Sequence, residues 1–243
     1  EPQMSGMLGI GWLLYHEAAS GRGHVLNYSG RAPREATPDK FNEKNRWSGV
    51  LSPIVPGALA GWHEAHKRFG SLPWAGLFED AIAIAEEGFP ASRHLVALIG
   101  FSAERKFGPW PSSRAVYMPN GRAPRPGEPI VQRDLAASLR QAAALGPAAI
   151  HDGELGKRVC EFVRANGGIL SREDLTGYAP DWEEPIATTY RGREVRTIAP
   201  NASAFQVLET LNLIEGFEVG KFEPNGADFL HVMFEAAKVA TAD

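Results

Sequence analysis

Two histidines one helical turn apart, in His63-Glu64-Ala65-His66, are the first residues whose type and spacing suggest chemistry. A helical zinc site of the His-Glu-x-x-His kind needs its imidazoles at i and i+4, with the Glu between them. Here they stand at i and i+3 and no third ligand follows nearby, so they read as half-buried helix histidines and no metal site is expected. Gly6, Gly9 and Gly11 imitate part of a phosphate-binding fingerprint. Such a loop follows a strand and opens a helix, whereas this one precedes a strand, so a tight backbone-packing loop is expected. The carboxylate pairs Glu86-Glu87, Glu173-Asp174 and Glu183-Glu184 fall at helix ends or in loops, where solvated or capping roles suit them. The Gly-x-Ser-x-Gly elbow of an α/β-hydrolase is absent. Cys160, the one cysteine, lies in the amphipathic run Val159-Cys160-Glu161-Phe162-Val163 and reads as a small buried apolar residue. Asn27-Tyr28-Ser29 and Asn201-Ala202-Ser203 match the glycosylation sequon, a three-residue pattern short enough to arise by chance. No nucleophile is visible, and nothing calls for a cofactor.

The elements that must position these residues follow from periodicity and punctuation. Residues 5–15 pass from a Gly-rich turn into an apolar run, and His24-Val25-Leu26-Asn27-Tyr28 reads as the returning strand of a hairpin. After a polar loop from Arg31 to Trp47, Val55-Pro56-Gly57 opens a helix that Gly70 stops. Pro73 starts a second helix that ends at Gly88, and a third spans about 92–107. Residues 108–129 hold six of the 18 prolines and are expected to be irregular. Helices are expected over 134–144 and 153–166, with Ser171 as an N-cap before Glu173 and Asp174. Strands over 186–190 and 194–198 flank the turn Arg191-Gly192-Arg193, and two helices cover about 203–215 and 225–243. Strands, many helices, strands and helices in that order suggest an α+β or layered α/β domain, not a doubly wound sheet.

Composition narrows the function classes. The 243 residues carry a formal charge of −4, with 44% apolar and 22% charged residues, as expected of a soluble globular chain. No basic block follows a phosphate backbone, so nucleic acid is not an expected partner. The apolar stretches are too short and interrupted to span a bilayer. The start at Glu1-Pro2-Gln3, without an initiator Met or signal core, and the stop inside a helix-like run read as a piece of something longer.

Several separated stretches together resemble the γ-glutamyltranspeptidase family of N-terminal-nucleophile hydrolases. They are Glu1-Pro2-Gln3-Met4-Ser5-Gly6 through Gly11, Val55-Pro56-Gly57 through Gly61, Phe69-Gly70-Ser71-Leu72-Pro73-Trp74, and Ala85-Glu86-Glu87-Gly88-Phe89-Pro90. Gln132-Arg133-Asp134-Leu135-Ala136, Gly167-Gly168 through Leu175 with Tyr178, Tyr190-Arg191-Gly192, and Leu230-His231 to Lys238 follow in the family's order. The resemblance covers nearly the whole chain. It implies that residues 1–243 are the large-subunit portion of a single four-layer αββα domain, incomplete at both ends. It also implies a precursor that cuts itself, so that a Thr becomes the first residue of a small subunit and acts as nucleophile, with its own α-amine as base. That Thr falls beyond Asp243, so no catalytic residue is expected in this chain and the chain alone is expected to be inactive. The expected partners are the small subunit and a γ-glutamyl or related acyl-amide substrate. Family habit favours a periplasmic or secreted location over a cytoplasmic one.

One binding position falls within the chain. The family carries Asp-x-Arg-Glu-x-Ala-Pro after the first hairpin, and the resemblance implies that its Arg pairs with the α-carboxylate of the γ-glutamyl group. The equivalent text is Asn27-Tyr28-Ser29-Gly30-Arg31-Ala32-Pro33, which places Ser29 at the Arg position and Arg31 two residues later. If the segment is a strand, Ser29 and Arg31 share a face about 6–7 Å apart, and Arg31 reaches the carboxylate from a shifted position. The alternative is a solvated loop Arg and a pocket fitted to another acyl group. The Pro-Ser-Ser-Gly-Gly-like run expected later reads Ala199-Pro200-Asn201-Ala202-Ser203-Ala204, a second departure. Three functions stand open: a γ-glutamyl transferase or hydrolase of glutathione-like amides, an acylase with a glutaryl-type acyl group, and a non-catalytic scaffold relative.

Overall fold

A computed structural model describes residues 5–242, with the backbone alone at 104 and 105. The expected family opening at Glu1-Pro2-Gln3-Met4 and the final Asp243 lie outside the described residues. In chain order the elements are β1 (Gly11–Glu17), β2 (Arg22–Tyr28), α1 (Ala58–Phe69), α2 (Glu79–Glu87), β3 (Phe89–Pro90), α3 (Arg93–Ser102), α4 (Pro111–Tyr117) and β4 (Pro129–Ile130). They continue with α5 (Arg133–Leu145), α6 (Ala148–His151), α7 (Glu154–Ala165), α8 (Arg172–Thr176), β5 (Asp181–Glu183), β6 (Ile186–Tyr190), β7 (Arg193–Thr197), α9 (Phe205–Glu215) and α10 (Ala227–Ala242). Helices with small antiparallel sheets make the chain α+β, as its element order implies. The described residues divide into two compact units, the first formed by residues 5–11 and 28–180, the second by 12–27 and 181–242.

The first unit is a helical body with three apolar clusters. Met7, Leu59, Phe78, Ala142, Ala149, Ile150 and Leu155 form one, against which Trp62 and Trp74 pack. Val55, Cys160, Val163, Leu170 and Leu175 form another, so Cys160 is the buried apolar residue its context suggests, and burial pushes its thiol pKa up. Ala91, Leu95, Ile99 and Ile130 fill the third. The helix expected over 73–88 begins as a 3-10 turn at Trp74–Phe78 before α2, and α3 runs on into a π-helical turn at Ala103–Phe107. The proline-rich 108–129 segment is not wholly irregular. Pro111 sits in the first turn of α4, where its fixed φ suits a helix and its missing N–H costs nothing.

In the second unit, β1, β2 and β5 form a three-stranded sheet in that order, with Val25 opposite Glu183 and Asn27 opposite Asp181. The β6–β7 hairpin pairs Ile186 with Thr197 through to Tyr190 with Arg193. Its two-residue turn has positive φ at both Arg191 (50°) and Gly192 (74°), the geometry that matches strand twist. Helix α9 packs on both α10 and the β6–β7 hairpin, and Leu208 and Ile214 of α9 and Ala236 and Ala240 of α10 are buried. None of the described helices is long and apolar enough to cross a membrane.

Candidate acyl-carboxylate site

The glycines near the start of the chain build a packing loop. Gly9 N–H donates to Gly6 O, and Gly9 O accepts from the N–H groups of Gly57 and Ala58 at 3.0 and 2.9 Å. A Cβ on Gly57 would meet Tyr28 O at 2.2 Å and Tyr178 Oη at 2.4 Å, while one on Gly61 would meet the Tyr28 ring at 2.2 Å. Bare backbone is therefore required where Val55–Gly61 enters α1, and the half-buried Tyr28 ring is locked in place by it. Burial raises the Tyr28 phenol pKa, and a hydrogen bond involving Trp62 pulls it the other way.

The candidate residues Ser29 and Arg31 follow this ring, but not on a strand. Strand β2 ends at Tyr28, and Gly30 takes a left-handed φ of +82°. A Cβ there would lie 2.1 Å from Val55 O, so the Glu that the family motif carries at this position would not fit the turn. The reversal separates the two side chains: Ser29 is buried, its Oγ 3.5 Å from Gly30 O, and Arg31 is exposed. The shared strand face expected for them is thus replaced by a turn that buries the position of the family's Arg and presents the next Arg outward. The main chain of Arg31 is held, since its carbonyl accepts from Val55 N–H at 2.9 Å.

A buried carboxylate closes the far side of this loop. Asp174 Oδ1 accepts from Arg34 N–H at 2.9 Å, and Oδ2 accepts from Ser171 N–H at 2.9 Å and from Ser171 Oγ at 2.8 Å. The same pair forms the capping box of α8, with Asp174 N–H donating to Ser171 Oγ. Burial acts to raise the Asp174 pKa, but the Arg34 N–H and the Ser171 hydroxyl and N–H outweigh it and hold the carboxyl below its ordinary range. The neighbouring Glu35 pairs with Arg164, whose Nε donates to Leu170 O. The capping role expected of Glu173-Asp174 is therefore real for Asp174. Its grip on a loop 140 residues earlier is not visible in local sequence.

In the second unit the two motif departures meet. Asn27 Nδ2 donates to Glu183 Oε1 at 2.9 Å and to Asn201 Oδ1 at 3.3 Å. Asn27 fills the Asp position of the family motif, where a carboxylate would face that of Glu183 at hydrogen-bond distance. The amide turns a repulsion into a bond. Both sequon asparagines are engaged here with each other.

The remaining candidates have packing partners. His63 and His66 set their rings edge-on to Trp74 at 4.9 and 5.4 Å, and His66 Nε2 lies 2.7 Å from Leu72 O. Buried His151 stacks on Tyr178 with Nδ1 3.1 Å from Leu175 O, and burial lowers its pKa. Among the described residues no group of three or more His, Cys, Asp or Glu side chains is placed to hold a metal. A cleft of about 650 Å³ in the first unit is lined by Met7, Leu135, Ser138, Arg158 and Phe162, among others. Neither Ser29 nor Arg31 borders it, so this cleft and the candidate carboxylate site are different places. Arg31 offers an exposed guanidinium on an anchored backbone, which suits a carboxylate. Ser29 is placed as a packing residue.

The family model described as gamma-glutamyltranspeptidase matches residues 1–243. The chain is 35% identical to the Acylase ACY 1 proenzyme of Pseudomonas sp. (strain V22) over 257 residues, covering 100% of this chain and 46% of that protein. It is 28% identical to the Glutathione hydrolase proenzyme of Escherichia coli (strain K12), covering 98% of this chain and 43% of that protein. It superposes on the crystal structure of Helicobacter pylori gamma-glutamyltranspeptidase with a TM-score of 0.93 at 28% identity, covering 99% of this chain and 71% of that one. The chain thus spans about half the length of these curated relatives. Sequence motifs, fold and family model agree, and the chain belongs to the γ-glutamyltranspeptidase family, as its large-subunit portion.

Proposed function

We propose that this chain walls the acyl pocket of a self-cleaving acyl-amide hydrolase or transferase, acting on glutathione-like γ-glutamyl amides. The match to the family over residues 1–243 carries the reading. The nucleophile is the N-terminal Thr of a small subunit cut from the same precursor, a partner that the relatives named as proenzymes support. The Thr hydroxyl attacks the amide carbonyl, its α-amine takes the proton and passes it to the leaving amine, and water or an acceptor amine releases the acyl group. Arg31 binds the distal carboxylate of the acyl group and fixes its orientation. Residues 1–243 form one domain with the small-subunit part.

A second reading, an acylase of glutaryl-type amides, is favoured by one structural observation and one comparison. Gly30 replaces a Glu and reshapes the binding loop, and the Pseudomonas acylase is 35% identical against 28% for the Escherichia coli glutathione hydrolase. Glutaryl and γ-glutamyl groups share the distal carboxylate and differ only in the α-ammonium. Arg31 therefore serves both, and discrimination rests on whether the pocket pairs that ammonium. The kcat/KM of the processed full-length protein on γ-glutamyl and glutaryl p-nitroanilides decides. Preference for the γ-glutamyl amide supports the first reading and preference for glutaryl the second. Turnover of neither overturns both in favour of a scaffold without catalysis.

A further inference from the structure

We infer that Asp174 is a positioning residue for substrate binding, a buried carboxylate that sets where the Arg31 guanidinium stands; the inference rests on the reading of Arg31 as the carboxylate fork. The loop from Ser29 to Ala36 carries Arg31 between two anchors. On one side Val55 N–H holds Arg31 O, and Gly30 packs against Val55 O. On the other, three residues beyond Arg31, Arg34 N–H reaches Asp174 Oδ1 at 2.9 Å. The Asp174 side chain is 2% exposed, so this bond is shielded from competing water, and its second oxygen is fixed by two donors on Ser171. The carboxylate cannot rotate away without abandoning the α8 cap. Because the shorter tie runs to a backbone N–H, it fixes the course of the main chain, while the 72% exposed Arg34 side chain adds only a long ion pair, Nε 4.0 Å from Asp174 Oδ1. The Glu35–Arg164 pair adds a second, exposed tether at the next residue. A guanidinium that must meet a carboxylate in a planar fork gains from such an anchored base, since misplacement of about an ångström costs much of the interaction.

The test uses the processed full-length protein and the p-nitroanilide it turns over faster. Asp174→Asn preserves size but leaves either Arg34 N–H or Ser171 N–H without an acceptor oxygen. It is expected to raise KM about tenfold while kcat changes less than about threefold, the pattern of lost uniform binding. Arg31→Ala also raises KM, and in the double variant the two factors do not multiply, because Asp174 acts through Arg31. Factors that multiply, or a loss confined to kcat, overturn the proposal. If Asp174→Asn does not fold, Ser171→Ala takes its place, since it removes the hydroxyl that fixes Asp174 Oδ2; a KM rise of about two- to threefold is expected and an unchanged KM overturns the inference. Hydrogen exchange at the Arg34 amide separates this idea from the reading beneath it. Faster exchange in Asp174→Asn, together with an unmoved KM in Arg31→Ala, sinks the carboxylate-fork reading and leaves the loop tie standing. Unchanged exchange at Arg34 sinks the tie itself.

Discussion

Two carboxylates each tie down a loop of the first unit, and they do it differently. Glu128 takes the Arg122 guanidinium in a two-pronged pair at 3.0 Å on both oxygens, and also accepts from Arg125 N–H at 2.8 Å. Its partners lie within six residues, and its side chain is 35% exposed. Asp174 is 2% exposed and closes a span of 140 residues, held by main-chain and hydroxyl donors, with the Arg34 guanidinium only at a long 4.0 Å. The Glu128 pair looks stronger in a list of ion pairs, yet water and salt screen it, and it shapes only the proline-rich turn that contains it. The Asp174 cluster rests less on charge pairing, but each of its part-buried donors would lose its acceptor without it. Burial and sequence separation, not charge count, decide which carboxylate holds a distant loop.

Removing each carboxylate sharpens the contrast. Asp174→Ala orphans the Arg34 and Ser171 donors and removes half of a capping box, so a loss of roughly 3 kcal/mol is expected in denaturant unfolding. A loss below about 1 kcal/mol would break the distinction drawn here. The acid limb gives a middle-sized effect. Both carboxyls have lowered folded pKa values, Glu128 to about 2 from 4.5 and Asp174 below 3.8. For Glu128 the largest cause is the Arg122 pair; for Asp174 the hydrogen bonds to Arg34 and Ser171 overcome the opposing effect of burial. Such groups stabilise fully above their unfolded pKa, and the contribution is lost as pH falls through the folded one. Asp174→Asn should therefore flatten the decline of the thermal midpoint below pH 3.8, and Glu128→Gln should do so below pH 4.5. An unflattened decline in Asp174→Asn contradicts a carboxylate held ionised by its donors. The smallest effect is Glu128→Gln at neutral pH, a midpoint shift of no more than about 2 °C, with faster amide exchange confined to residues 119–129.

The longer helices of the first unit were legible because each has an apolar stripe and a stop signal. Residues 55–70, 134–144 and 153–166 match α1, α5 and α7 within a few residues. The Arg191-Gly192 turn was legible because one residue pair dictates a hairpin. Helix α4 was hidden by its prolines, which read as breakers although Pro111 occupies a first turn. The three-residue β5 is too short for any period to show. At the candidate site the family motif led to Ser29 and Arg31, but strand spacing placed them on one face, whereas the left-handed Gly30 divides them. Asp174 read as a helix cap and is one. Nothing local to Ser171–Leu175 encodes that its other oxygen meets Arg34, because that contact exists only once the chain has folded.

The central proposal is that Arg31 reads the acyl carboxylate. The direct measurement is kcat/KM of Arg31→Ala and the unaltered full-length protein on two anilides, one with the distal carboxylate and one, pentanoyl, without it. A loss of about 100-fold on the first with little change on the second is expected. An equal loss on both, or no loss on either, would contradict it.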